Sequence, residues 1–234
     1  SNNWLVIRLN GSTSNTTGIG ARVKVKATIN GQEVWQMREI TANSGLNAMN
    51  SQEAHFGLGG ATDAEMILVE WPSGANSVLM NENPNQYITI NEADITADGI
   101  LSVPYEFATI QGAIDAASNG DTVYVFSGTY VENIDFRGRN IKLVGEDRET
   151  TIIDGNQSGR VVTLNSGESN ALLKNFTIQN GHPVHDGSSE ESDDGGGIYI
   201  DAVATIQNCI IKDNISDDRG GGLFIVKDGP ILKN

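Results

Sequence analysis

The 234-residue chain is 38% hydrophobic and 19% charged, with 27 Gly and 5 Pro, so it can bury a core yet is rich in turns, which excludes global disorder. Acidic residues number 30 against 15 basic, for a formal charge of −15 and a pI near 4.4, which argues against nucleic acid or anionic lipid as a partner. The single Cys, Cys209, excludes an internal disulfide framework and leaves the redox compartment open, and no run reaches the roughly 18 apolar residues of a membrane span.

In chain order, Val23, Val25, Ala27 and Ile29 alternate with Lys24, Lys26 and Thr28 up to Asn30-Gly31. That pair tolerates positive φ, so the spacing predicts a tight hairpin. Apolar runs at 66–69, 78–80 and 87–90 follow, separated by Pro72-Ser73-Gly74 and an Asn-rich stretch at 81–85. Short strands at this spacing predict a small β-sandwich over 1–91. Segment 92–103 is polar with a few small apolar residues and reads as a linker. Beyond Pro104, Phe107, Ile110, Ile114 and Ala117 recur at spacings of three and four, and Asn119-Gly120 offers a left-handed stop. A capping helix is therefore predicted over 107–118, and only strands and turns after it, beginning with 122–126, 141–144, 151–153 and 160–164.

The end of the chain repeats. Asp193-Asp194-Gly195-Gly196-Gly197-Ile198-Tyr199-Ile200 recurs as Asp217-Asp218-Arg219-Gly220-Gly221-Gly222-Leu223-Phe224-Ile225, about 24 to 25 residues later. A second register runs through Leu173-Lys174-Asn175, Ile206-Gln207-Asn208 and Leu232-Lys233-Asn234. Short strands with Gly and Asn corners at such a period predict a solenoid of about four coils over 104–234, because no single coil can bury its inner face alone. Phe176, Ile178, Cys209 and Ile211 are expected to stack inward, and Asn175, Asn208 and Asn234 to form an amide ladder. The chain begins at Ser1 without a basic and apolar leader and stops at Asn234 inside a repeat. The expectation is a piece of a longer protein with further domains at both ends.

Two resemblances rest on these residues. Phe107-Ala108-Thr109-Ile110-Gln111-Gly112-Ala113-Ile114, Gly120-Asp121-Thr122-Val123-Tyr124-Val125 and Gly128-Thr129-Tyr130-Val131-Glu132-Asn133-Ile134 resemble the opening of right-handed parallel β-helix proteins of the pectin-lyase-like superfamily, pectin methylesterases among them. The resemblance implies the fold over about 103–234 far more firmly than an activity. Those esterases continue with a Gln-Ala-Val-Ala-Leu strand and a Gln-Asp segment, where this chain has Gly195-Gly196-Gly197-Ile198-Tyr199-Ile200, so no esterase residue carries over. Gly18-Ile19-Gly20-Ala21-Arg22-Val23, His55-Phe56-Gly57-Leu58-Gly59 and Trp71-Pro72-Ser73-Gly74 resemble the ASPIC/UnbV domain. That resemblance implies a module that follows FG-GAP or VCBS-type repeats in extracellular proteins, without assigned catalytic residues.

For chemistry, glycoside hydrolysis needs two carboxylates roughly 5 to 10 Å apart, a spacing Asp193, Asp194, Asp217 and Asp218 could supply. A lyase needs a cation on the uronate and a base such as Arg219 or Lys212. Two Ser-Asp-Asp corners stacked about 5 Å apart would repel by about 0.8 kcal/mol per facing pair in water and about 3 kcal/mol at an effective dielectric of 20. Calcium would offset this, with Asp193, Asp194, Asp213, Asp217 and Asp218, and Asp186 beside them, as ligands. The bland reading is a solvated acidic face screened by salt. The stretch His182-Pro183-Val184-His185-Asp186 is a metal or acid/base cluster or, more simply, an exposed corner loop. His55 reads as structural, Cys209 as an inert core residue, and Trp4, Trp35 and Trp71 as a sugar platform or as sandwich core. Sequons at Asn10, Asn15, Asn156, Asn175 and Asn214 matter only in a glycosylating pathway.

The sequence thus predicts an all-β chain from a secreted, extracellular or cell-surface bacterial protein: a β-sandwich, then a capped right-handed parallel β-helix. The expected function is noncatalytic, carbohydrate-directed binding or adhesion at a polysaccharide or cell-surface glycan, with calcium bound. The alternatives are a polysaccharide lyase or hydrolase with its active coils downstream, and a structural spacer.

Overall fold

The computed structural model describes residues 2–42, 52–92, 99–184, 193–227 and 229–234. The chain divides into two compact units, Ser1–Asp98 and Gly99–Asn234. The first unit contains β1 (Asn3–Asn10), β2 (Arg22–Ile29), β3 (Gln32–Glu39), β4 (Glu53–Gly59), β5 (Ala64–Glu70), β6 (Asn76–Glu82) and β7 (Gln86–Asn91). They form a three-stranded sheet β4-β1-β7 and a four-stranded sheet β3-β2-β5-β6. Alternation places Leu5, Ile7, Val23, Val25, Phe56 and Ile67 inward from both sheets into one core, which is the sandwich the pattern implies. Asn30 (φ 53°) and Gly31 (φ 76°) close the β2–β3 hairpin, both left-handed as a primed turn demands. The parallel pairing of β1 with β7 joins the two ends of the unit, a long-range contact that local pattern does not carry.

The segment read as a linker is not one at either end. Glu92 is 2% exposed and is built into the first unit. Ile100–Val103 is β8, the first strand of the second unit, paired in parallel with β9. Its Leu101 and Val103 are apolar enough to bury against the first coil, which decides the matter.

The second unit opens with β8 and α1 (Ile110–Ala116). Coil one holds β9 (Thr122–Val125), β10 (Gly128–Val131) and β11 (Ile134–Asp135). Coil two holds β12 (Lys142–Gly145), β13 (Thr151–Asp154) and β14 (Val162–Leu164). Coil three holds β15 (Ala171–Lys174), β16 (Thr177–Gln179) and β17 (Ile198–Ile200). Coil four holds β18 (Ala204–Gln207), β19 (Ile210–Lys212) and β20 (Leu223–Ile225), and β21 (Ile231–Lys233) follows. Stacking gives three parallel faces: β8-β9-β12-β15-β18-β21, then β10-β13-β16-β19, then β11-β14-β17-β20. This is the predicted right-handed parallel β-helix.

Register turns the sequence repeat into columns. Val123, Leu143, Leu173 and Ile206 stack on the first face, and Ile134, Val162, Ile198 and Leu223 on the third. Nearly all are buried, each contributing about 1.5–3 kcal/mol. Phe176 and Ile178 are fully buried, whereas Cys209 and Ile211 are partly buried against the same core. One rung of the expected ladder forms, with the Asn208 amide donating to Asn175 Oδ1 at 2.9 Å. Both residues are left-handed, at φ 51° and 63°, a conformation their short amides tolerate.

The helix is shorter than the predicted 107–118. Thr109 caps it by accepting from the Gly112 amide, and it ends where Ala117 turns extended. The glycine stop lies further on, at Gly120 (φ 98°). Glu132 of the first coil accepts from the Ile110 and Gln111 amides at 2.9 and 3.0 Å, satisfying orphan donors of the first turn. Ile110, Ala113 and Ile114 bury over the solenoid end.

Candidate functional site

The predicted calcium residues sit on coils three and four, in the corners between the second and third faces. The β17–β20 register pairs Ile198 with Leu223, an offset that sets Asp194 beside Arg219 rather than beside another aspartate. Asp194 has a fully buried carboxylate. It accepts from Arg219 Nη2 at 2.7 Å, Nε at 3.1 Å and the Arg219 amide at 3.0 Å. Arg219 also reaches Asp218 at 3.2 Å. Hydrogen bonding to Asp194, with the Asp194 and Asp218 charges, raises the Arg219 pKa against its desolvation.

The remaining ligands diverge. Asp217 meets His182 Nε2 at 3.1 Å. Asp193 is buried, its carbonyl accepting from Ser216 Oγ at 2.6 Å. Asp213 is exposed at a left-handed corner (φ 54°), its carbonyl accepting from the Asn180 amide. Among the described residues no three His, Cys, Asp or Glu side chains converge on a metal-sized space, and Asp186 and His185 lie outside the described residues. The expected like-charge stack is thus corrected: the extra residue in the second repeat lets an arginine meet the buried carboxylate, as a buried charge requires. The guanidiniums are further set on aromatic faces, Arg160 3.8 Å from the Tyr199 ring centre and Arg219 4.9 Å from that of Phe224.

His182 exchanges backbone hydrogen bonds with Gly159, so it is fixed by the coil beneath. His55 lies on the outer side of β4, 3.6 Å from Glu53. The three tryptophans do not share a platform. Trp71 is buried and donates to Ser77 Oγ at 2.8 Å, while Trp35 and Trp4 are on strands of different sheets. Burial, only partly offset by hydrogen bonds from Phe176, Asn175 and Gln207, pushes the Cys209 thiol up, consistent with an inert core residue.

A different arrangement emerges on the first face. Alternation turns Thr122, Lys142, Leu172 and Thr205 outward in one row, and Val144, Lys174, Gln207 and Lys233 in the next. Lys142, Lys174 and Lys233 have no carboxylate within salt-bridge distance among the described residues. Lys174 and Lys233 are two strand spacings apart, about 10 Å. Arg148 joins this edge, donating to Asn208 Oδ1 at 2.8 Å. In a chain of charge −15, these ammonium groups lie on one face of the solenoid, where charges of one sign add to a common local field. Sequence reading missed these lysines. For Lys174 and Lys233 the signal is the repeated Leu-Lys-Asn of 173–175 and 232–234, where the asparagines drew the reading, whereas Lys142 lies in Ile-Lys-Leu-Val outside that repeat.

Residues 11–97 match the family described as ASPIC and UnbV. The chain is 40% identical over 74 residues to probable pectinesterase/pectinesterase inhibitor 17 of Arabidopsis thaliana, covering 30% of this chain and 14% of that protein. It is 29% identical over 141 residues to probable pectinesterase/pectinesterase inhibitor 32 of the same plant, covering 54% and 25% respectively. It therefore spans a quarter or less of the length of these curated relatives. A pectin methylesterase from carrot superposes with a TM-score of 0.40 at 18% identity, over 52% of this chain and 41% of that one.

Proposed function

We propose that the β-helix unit is a noncatalytic binding module for an acidic, pectin-type polysaccharide laid across its first face, acting outside the cell where such polymers occur. The observation that carries this reading is the set of three outward lysines in adjoining rows, none with a carboxylate in salt-bridge distance among the described residues. Ammonium groups on a flexible stem hold carboxylates as point charges without fixing one geometry, which suits retention of a polymer with irregular substitution. The pectinesterase names of the similar proteins support the choice of pectin among polyuronates.

The second reading, a polysaccharide lyase or glycoside hydrolase, takes only the polymer class from those names, since an esterase cleaves an ester and leaves the glycosidic bond intact. Glycoside hydrolysis needs two carboxylates flanking the bond, and none of the strands of this face carries an Asp or Glu.

The test is retention on immobilised polygalacturonate, methyl-esterified pectin and a neutral glucan, with methanol, reducing ends and unsaturated ends recorded in the same samples. The binding reading expects retention on polygalacturonate that weakens with salt and no products. Lys142→Gln, Lys174→Gln and Lys233→Gln together should remove up to about 3 kcal/mol, roughly a hundredfold in affinity. Products would establish the enzyme, and absence of both signals the spacer.

A further inference from the structure

The outer face of the β4-β1-β7 sheet carries a second binding feature, independent of the lysine face. In register, Val6 lies between His55 and Tyr87, Trp4 faces Gly57, and Arg8 faces Glu53 and Thr89. Trp4 is 36% and Tyr87 59% exposed, and their rings meet edge to face at 5.4 Å and 72°. The two planes stand as a bracket over an open groove of about 400 Å³, floored by Val6 and the bare backbone of Gly57. That is within the range of small-ligand sites.

The bracket is held in place. The Asn85 amide donates to the Trp4 carbonyl at 2.6 Å, and Asn85 Oδ1 accepts from the Trp4 amide at 3.2 Å. At the other end Arg8 sits 5.2 Å from the Tyr87 ring centre and pairs with Glu53 at 2.6 Å. The rim charges therefore neutralise one another and leave donors and acceptors without a net charge to offer. Gly57 opposes Trp4 where a side chain would fill the groove, and a Cβ built there meets nothing within 4 Å.

We infer that this groove is a binding site for a neutral glycan chain. A pyranose has apolar C–H faces that stack on aromatic rings and a girdle of hydroxyls that hydrogen-bond to a polar rim. Exposed rings with His55, Arg8 and Glu53 at their edge offer both. A uronate finds no free cation here, because Arg8 is already paired. A protein or lipid partner would need a wider apolar patch than two rings bordered by charge provide.

The test titrates the whole chain with cellohexaose, xylohexaose, mannohexaose and galactohexaose, read by tryptophan fluorescence and calorimetry. One neutral series is expected to bind, with no comparable signal from hexagalacturonate or neutral phospholipid vesicles. Gly57→Val, which fills the groove with a residue suited to a strand, should weaken binding at least about tenfold, the equivalent of about 1.4 kcal/mol, with an unchanged thermal midpoint. Trp4→Ala should do the same, and the triple lysine variant should bind as the wild type does. Failure of every neutral oligosaccharide overturns the inference, as does binding that survives Gly57→Val, or vesicle binding in place of sugar.

Discussion

Replacing Glu92 by Gln removes one charge from the first unit and leaves its shape. The Glu92 carboxylate is 2% exposed and closes the loop after β1. Oε2 accepts from the amides of Ser12, Thr13 and Ser14 at 2.7, 2.8 and 2.7 Å. Oε1 accepts from the hydroxyls of Ser14 and Ser73 at 2.7 and 2.6 Å. Three converging backbone N–H groups form an anion nest, and the anion is supplied by the chain itself. Desolvation raises the pKa, but the hydrogen bonds from Ser73, Ser14 and Ser12 outweigh it and hold the group at about 2 against an ordinary 4.5. At 1.36 kcal/mol per pKa unit this corresponds to ~3 kcal/mol, of which a Gln oxygen that still accepts from part of the same donor set retains about 1 kcal/mol, leaving a loss of about 2 kcal/mol. Because the folded pKa is depressed, the contribution is complete above pH 4.5 and is lost as pH falls toward 2. For a unit of this size, about 2 kcal/mol lowers the midpoint by about 10 °C. All three tryptophans, Trp4, Trp35 and Trp71, lie in this unit, so fluorescence-detected melting reports on it alone. Glu92→Gln should melt about 10 °C below wild type at pH 7, and the two should converge near pH 2. Equal midpoints at pH 7, or a gap that persists unchanged in acid, would refute the nest argument.

Other consequences are as direct. A Cβ at Gly196 would run into the Ile215 carbonyl oxygen of the next coil, so Gly196→Ala should abolish ordered stacking by circular dichroism, while Gly60→Ala, whose Cβ meets nothing within 4 Å, should not. Phe176→Ala removes a fully buried ring from the solenoid core and should cost about 3–5 kcal/mol, seen as faster hydrogen exchange across β15 and β16 with tryptophan fluorescence unchanged. Asp194→Ala and Arg219→Ala should each loosen coils three and four. The double variant should be no worse than the poorer single, since the pair acts as one unit. Calcium should leave the melting of the second unit where chelator leaves it, because Arg219 occupies the carboxylate that the cation would need. A calcium-dependent rise would reinstate the metal site.

Several elements were open to local reading because their cause is local. The β2–β3 hairpin follows from alternation and Asn30-Gly31, and the solenoid from a repeat whose apolar positions must stack to be buried. Helix length was overestimated because Phe107 fits the apolar period, while its amide bonds to Ser102 outside the helix. Glu92 looked like linker because a lone carboxylate among polar residues gives no sign of burial; the amides that hold it lie some eighty residues earlier. Aspartate does not stack on aspartate at the acidic corners because strand register aligns the two segments on their glycines, an offset of one residue from the alignment on their aspartates.

The two-part organisation, the sandwich core, the coil period and the inward positions were legible along the chain, since burial patterns within one strand or one repeat are set by neighbouring residues. Which charges meet follows from the register between coils, where a one-residue difference moves every partner in the ion pairs and outward rows. Asp194 with Arg219, the alignment of Lys142, Lys174 and Lys233, and the bracket of Trp4 and Tyr87 over Gly57 each join residues brought together across strands.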